Sequence, residues 1–266
     1  MPQHYPGTTA LITGASSGLG EEFARQLAAK GANLVLVARR SDRLETLATA
    51  LRGEHGVSVT VIAADLSAPN AATELASRVS KLGLSIDTLV NNAGFATRSR
   101  FENEDASRIA QEIDLNVGAL VDITRVFYPG LLASGKGALI NIASTGAYQP
   151  VPLMAVYGAT KAFVLSFTEA LWYEAKGSGL KVLALSPGAT KTEFFDVAGE
   201  NAQVGSFQTP SQVVGIALST LDRRNPPPSV VCGSGNALTV VATKLMTRRA
   251  LVSLTGSITG RRPVEA

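Results

Sequence analysis

The sequence predicts an α/β fold: a three-layer, doubly wound sandwich built on a mostly parallel seven-stranded sheet. Short apolar runs of strand length alternate with helix-period segments along almost the whole 266-residue chain. The runs are continuously apolar, as in NLVLVA at residues 33–38, which marks strands covered on both faces. Small or glycine-rich turns follow the strands, at the end of the sheet where folds of this kind hold ligands.

The elements follow in order. Residues 9–12 form an apolar strand, and 19–30 a helix opened by a glycine turn. Strand 33–38 leads into helix 42–52, where Leu44, Leu47 and Leu51 recur at helical spacing. Strand 57–63, helix 71–81 and strand 86–90 repeat the unit. A long helix is expected over 105–133, although Asn116 and Gly118 inside it each cost up to about 1 kcal/mol relative to alanine, so a local reason is expected there. Strand 138–142, helix 156–176 and strand 181–185 follow, then helix 211–221. The turn Pro226-Pro227-Pro228 precedes a short last strand at 229–231.

An apolar share of 45% suits one large domain spanning 1–266. Within it, 193–210 reads as a substrate lid region and 236–266 as a C-terminal helical tail. Net charge is only +3, and the arginine pairs are scattered with few aromatics among them, so a nucleic-acid surface is not expected. Cys232 is the only cysteine, so no internal disulfide can form, which fits a reducing compartment. His4 and His55 lie far apart, and no metal-ligand cluster stands out. The N-terminus lacks a signal-peptide pattern, and no run of about 18 apolar residues suggests a membrane span. The expectation is a cytoplasmic protein.

The chemistry concentrates in residues 144–161. Tyr157 and Lys161 are spaced i,i+4 and share a helix face. An ammonium close to a phenol favours the phenolate and should lower the tyrosine's pKa, making it a proton donor and acceptor for a carbonyl/alcohol pair. Ser144 can hydrogen-bond the same oxygen. After the first strand, Gly14, Ser16, Ser17, Gly18, Leu19 and Gly20 form a turn that opens a helix, suited to a pyrophosphate or simply to a βα connection. After the second strand come Arg39 and Arg40, where a carboxylate would meet an unphosphorylated ribose. Guanidiniums there suit a 2′-phosphate and argue for NADP(H). Asp65, followed by Leu66, can accept from an adenine amino group or cap the next helix. Asn91, Asn92, Ala93 and Gly94 allow close approach of a ribose or shape a turn. Pro187, Gly188, Thr190 and Thr192 follow the sixth strand.

TGASSGLG, NNAG, LNV, the serine with YxxxK, and PGATKT occur in the order and spacing of the short-chain dehydrogenase/reductase family, which this sequence resembles from about residue 8 to 192. The resemblance implies a single-domain Rossmann-type fold, and VARRSDRLE is similar to NADP(H)-preferring members. It implies Tyr157 as general acid or base, with Lys161 tuning it and holding the nicotinamide ribose. Ser144 would polarise the substrate oxygen, and Asn116 would hold a relay water. The glycine turn would line the pyrophosphate, Asp65 and Leu66 would meet the adenine, and Asn92 to Gly94 the ribose. Pro187, Gly188, Thr190 and Thr192 would lie along the carboxamide and phosphates.

Gln149, Met154, Phe194 and Phe195, with Ser144 and Tyr157, are expected to contact substrate. Phe95, Ala147, Tyr148, Val151 and Leu153 complete a mostly apolar lining. No lysine or arginine lies on the Gln149 side, so an uncharged, moderately hydrophobic substrate is expected. The long helices at 105–133 and 156–176 suit the family's homodimer or homotetramer interface. The tail reads as an amphipathic helix pair packing on the domain or a partner subunit. Its small and hydroxyl residues weigh against the alternative, a membrane surface. The competing functional readings are a non-catalytic NADP(H)-binding regulator and an isomerase or dehydratase that retains the cofactor.

Overall fold

The computed structural model describes residues 4–194 and 207–260. Seven strands lie in the order β3-β2-β1-β4-β5-β6-β7. They are β1 (Thr9–Thr13), β2 (Asn33–Ala38), β3 (Val59–Ala63), β4 (Thr88–Asn91), β5 (Ala138–Ile142), β6 (Lys181–Ser186) and β7 (Ser229–Val231). Every neighbouring pair is parallel, so the sheet is wholly rather than mostly parallel. The strand order reverses between β1 and β4, which opens a crevice beyond their carboxyl ends.

Successive residues of a strand point to opposite faces, so each strand feeds two cores. On one face Ile12, Leu36, Val90 and Ile140 pack with Phe23 and Leu27 of α1 (Gly18–Ala29), Leu44 of α2 (Ser41–His55) and Val213 of α7 (Pro210–Leu221). On the other, Leu11, Val35, Leu89 and Leu139 meet Leu75 of α3 (Ala71–Lys81), Ile123 of α5 (Leu120–Ser134) and Leu171 of α6 (Ala155–Glu174). Burying each such side chain contributes about 1.5–3 kcal/mol. A capping box starts α7: Thr209 accepts from Gln212 N–H, and the Gln212 side chain accepts from Thr209 N–H.

The long helix differs from its expected form. It runs as α4 (Ala106–Ile113), a π-helical turn (Asp114–Ala119) and α5. The widened turn holds Asn116 and Gly118, the residues that made a regular helix costly, and Asn116 is buried there. The whole rod Ala106–Ser134 is long and apolar enough to cross a bilayer, which the sequence expectation did not allow for. In the fold it packs on the sheet instead, with Ile123 and Leu131 in the core.

The tail forms α8 (Ser234–Leu245) and α9 (Arg248–Gly260). Their inner residues Val240, Thr243, Leu251 and Thr255 are buried, so the pair does pack on its own domain.

A polar chain crosses the apolar interior beneath the crevice. Asn91 donates to Thr124 Oγ1 (2.8 Å) and Asn141 Oδ1 (2.9 Å), and Asn141 donates to Thr168 Oγ1 (2.9 Å). It ties β4 and β5 to α5 and α6, and so fixes the strand ends that carry the site. Asn141→Ala removes the central link and strands buried groups. Urea unfolding should show a loss of about 2–4 kcal/mol, summed over two broken bonds.

Candidate active site

The turn after β1 is built for close approach. Gly14 has φ 65°, in the left-handed region, and a Cβ there would lie 2.8 Å from Asn92 Nδ2. A Cβ on Gly20 would lie 2.3 Å from Gly14 O, and one on Gly18 would meet Thr192 at 3.1 Å. Asn92 Nδ2 donates to Thr13 O (3.0 Å) and Gly14 O (3.2 Å), while Thr13 Oγ1 accepts from Asn92 and Ala93 N–H. Asn92 is therefore a staple between the β1 and β4 turns. Ser17 precedes α1 without a side-chain cap, so the helix N-terminus presents its N–H groups to the crevice.

Arg40 is tied to the glycine turn. Its guanidinium donates to Ser16 Oγ (3.1 and 3.2 Å), Ser17 Oγ (2.9 Å) and Glu193 Oε2 (3.0 Å). Arg43 also pairs with Glu193, and these bonds hold the Glu193 carboxyl below the usual range. The sequence has no carboxylate between Asn33 and Ser41; the fold brings Glu193 to Arg40. Arg39 is exposed beside the crevice. Asp65 accepts from Ser67 N–H (3.0 Å) and Oγ (2.7 Å), which lowers its pKa and shapes the turn after β3.

The 3-10 turn Thr145–Tyr148 after β5 is capped by Ser144, whose Oγ accepts from Gly146 N–H at 3.1 Å. Ser144 shares the cavity wall with Tyr157, and its hydroxyl favours the ionised form of the phenol. Lys161, one turn further along α6, is buried and donates to Ile142 O at 2.8 Å. The pKa expectation is corrected here. Burial pushes Tyr157 up to about 12, against the opposing influence of the Ser144 hydroxyl and with help from the Glu112 charge. Burial takes Lys161 down to about 8, and the Glu112 carboxylate holds it up in part. The ammonium lies 5.8 Å from the phenol ring centre and is engaged by a backbone carbonyl, so desolvation outweighs it at the tyrosine.

Asn116 completes the cluster. Its amide accepts from Phe95 N–H (3.1 Å) and donates to Phe95 O (2.9 Å) and Thr160 Oγ1 (3.2 Å). The π-helical turn thus clamps the loop after β4 onto α6. A Cβ on Gly94 would sit 2.7 Å from Asn116 Oδ1.

These groups line one cavity of about 820 Å³, within the range of small-molecule and cofactor sites. Gly14, Ser16, Ser17, Gly18, Leu19, Arg39, Arg40, Asp65, Leu66, Asn92, Ala93 and Gly94 line one end. Ser144, Gln149, Met154, Tyr157, Lys161 and Phe194 line the other, with Pro187, Gly188, Thr190 and Thr192 between. Gly20 and Asn116 support it from behind. The Phe194 ring lies 5.5 Å from that of Tyr157. Phe195 and most of 193–210 lie outside the described residues. That segment is tied at its base, where Thr190 bridges Gln208. Sequence reasoning missed Arg108, whose guanidinium stacks 4.4 Å over Phe95 in the cavity wall. It also missed that Val240, Thr243, Leu251 and Thr255 of the tail line the apolar end. No short motif marks these; only the fold brings them in.

A dinucleotide fits this arrangement, because the glycine cradle leaves open the space that Cβ atoms would fill and the basic end suits phosphate. A wholly parallel doubly wound sheet, with this crevice and half-buried Ser144 and Tyr157 beside buried Lys161 at the β5 end, defines a nicotinamide-nucleotide type of site. The model of the short chain dehydrogenase family matches residues 8–203, and the chain belongs to that family. The very-long-chain 3-oxoacyl-CoA reductase of Rattus norvegicus is 34% identical over 207 residues, 76% of this chain and 66% of that protein. The chain thus spans just under two thirds of that relative's length. A short-chain dehydrogenase from Sphingobium yanoikuyae, solved with NADPH, has 37% identity and a TM-score of 0.81 over 92% of this chain and 95% of that one. A 7β-hydroxysteroid dehydrogenase structure has 28% identity and a TM-score of 0.85 over 96% and 100%.

Gly20→Ala would push a methyl into Gly14 O and the Asn92 amide. It should weaken dinucleotide binding at least about tenfold, a loss of about 1.4 kcal/mol, in titration calorimetry.

Proposed function

We propose that the chain is an NADP(H)-dependent oxidoreductase. It interconverts a ketone or aldehyde and an alcohol on an uncharged, moderately hydrophobic substrate. The observation that carries this reading is Tyr157 one helical turn from buried Lys161, lining the same cavity as Ser144 and the glycine turn.

Bound in this cavity, NADPH supplies a hydride, and NADP+ accepts one in the reverse direction. The protein does the rest. Ser144 and Tyr157 receive the substrate oxygen. Tyr157, a neutral phenol over the whole neutral range, donates its proton to the oxygen during reduction and takes it back during oxidation. Lys161 stabilises the transient phenolate. The apolar wall from Val151, Met154, Phe194, Val240 and Leu251 excludes water from the reacting carbonyl. Relatives named for acyl-CoA and steroid substrates support a bulky apolar group. Arg39 and Arg40 would hold the 2′-phosphate, with Arg40 giving up its pair with Glu193. Copies of the chain pair through the outer faces of α5 and α6.

The test is NADPH oxidation with ketones of graded size. Turnover with a bulky apolar ketone supports the reading. Cofactor binding without turnover of any ketone would favour a regulator, and product formation without net NADPH loss would favour an isomerase or dehydratase. In Arg39→Ala, chosen because Arg40 also braces the glycine turn, NADP(H) affinity should fall about tenfold with NAD(H) affinity unchanged. Equal discrimination would remove the 2′-phosphate role.

The pH dependence follows from Lys161. Its amine keeps the proton below its lowered pKa of about 8 and loses it above, while Tyr157 stays protonated until about 12. Reduction should hold to about pH 8 and decline above it. Glu112→Gln removes a charge that helps Lys161 keep its proton, so the decline should start at lower pH in kcat profiles.

A further inference from the structure

The tail presents two faces, and only one is accounted for by the cavity. On α8, Leu238, Val241 and Leu245 follow an i, i+3, i+7 spacing and are 71%, 55% and 85% exposed. On α9, Val252 is exposed outside the cavity, while Leu254 and Ile258 are exposed where they also line it. Lys244, Arg248 and Arg249 border these residues, and no acidic residue occurs between Asp222 and Glu265. Large apolar residues on a segment whose only charges are positive form a surface with a definite preference.

We infer that the outer face of α8 and α9 docks on an anionic lipid surface and places the apolar end of the cavity against it. Charge selects this occupant. A second copy meeting the face around a two-fold axis would bring Lys244, Arg248 and Arg249 toward their own counterparts with no acid in the segment to answer them. Anionic headgroups answer all three, and the apolar stripe enters the acyl boundary.

The hydroxyl residues that weigh against a membrane face in the sequence do not oppose it in the structure. Thr239, Thr243, Thr255, Ser257 and Thr259 each donate to a carbonyl of their own helix three or four residues back. Their donors are satisfied before any surface is met. Thr243 and Thr255 also face inward. The same two helices supply Val240, Thr243, Leu251 and Thr255 to the cavity wall, so the docked face and the substrate end belong to one pair of helices. A substrate dissolved in lipid would have a short path to Tyr157.

The experiment is flotation of the full chain with vesicles of pure phosphatidylcholine or phosphatidylcholine with a third phosphatidylglycerol, at low and high salt. The expected result is at least tenfold more protein on the anionic vesicles at low salt, falling as salt screens the charges. Leu238→Glu/Leu245→Glu and Lys244→Glu/Arg248→Glu, both outside the cavity lining, should lose binding while keeping dinucleotide affinity and soluble-ketone turnover. Equal absence from both vesicle types would overturn the inference. So would concentration-dependent self-association in sedimentation velocity that Leu238→Glu/Leu245→Glu abolishes, because a second copy would then cover the face. Vesicle binding is read without turnover, so its outcome is separate from that of the oxidoreductase reading.

Discussion

The Lys161–Ile142 hydrogen bond is the constraint on which the site depends. A buried ammonium is costly to desolvate, and this one is held by a backbone carbonyl at the very end of β5. That contact fixes the register of α6 against the sheet. It thereby sets Tyr157, one turn earlier, beside Ser144 on the segment leaving the same strand. The Glu112 carboxylate, wholly buried on α4, acts on Lys161 and on Tyr157 through space. Its Oε2 accepts from Thr97 N–H and Oγ1, which holds the loop after β4 in place. Charge and geometry are therefore set by one small group of buried residues.

The cofactor end is organised by exclusion of volume rather than by charge. Gly14 and Gly20 approach so closely that the Asn92 amide bridges the two turns, and any side chain there would push them apart. The polar chain through Asn91 and Asn141 supports the same strand ends from within the sheet. Charge enters at the rim, where Glu193 balances Arg40 and Arg43. That carboxylate comes from the segment after β6, so ion pairs tie the arginine rim to the start of the 193–210 region.

Much of this was legible in the sequence because its signals are local. Apolar runs of strand length, the leucine spacing of α2, the glycine turn and the i,i+4 pair Tyr157–Lys161 each depend on a few neighbouring residues. The costly Asn116 and Gly118 even flagged a departure from regular helix, though not its π form. Other features depend on distant chain segments meeting in space. Nothing near Arg40 announces Glu193, and nothing near Phe95 announces Arg108. The inner faces of α8 and α9 carry no motif, so their place in the cavity wall had no sequence signature. The tyrosine's pKa direction also misled: spacing gives proximity to an ammonium, but burial decides which effect wins.

The proposed reaction turns on the Tyr157 phenol moving the proton at the substrate oxygen. The most direct measurement is kcat for NADPH-dependent ketone reduction by Tyr157→Phe, with NADPH affinity measured on the same preparation. A loss of about a hundredfold or more at unchanged affinity is the predicted result. Full turnover by the phenylalanine variant would contradict it.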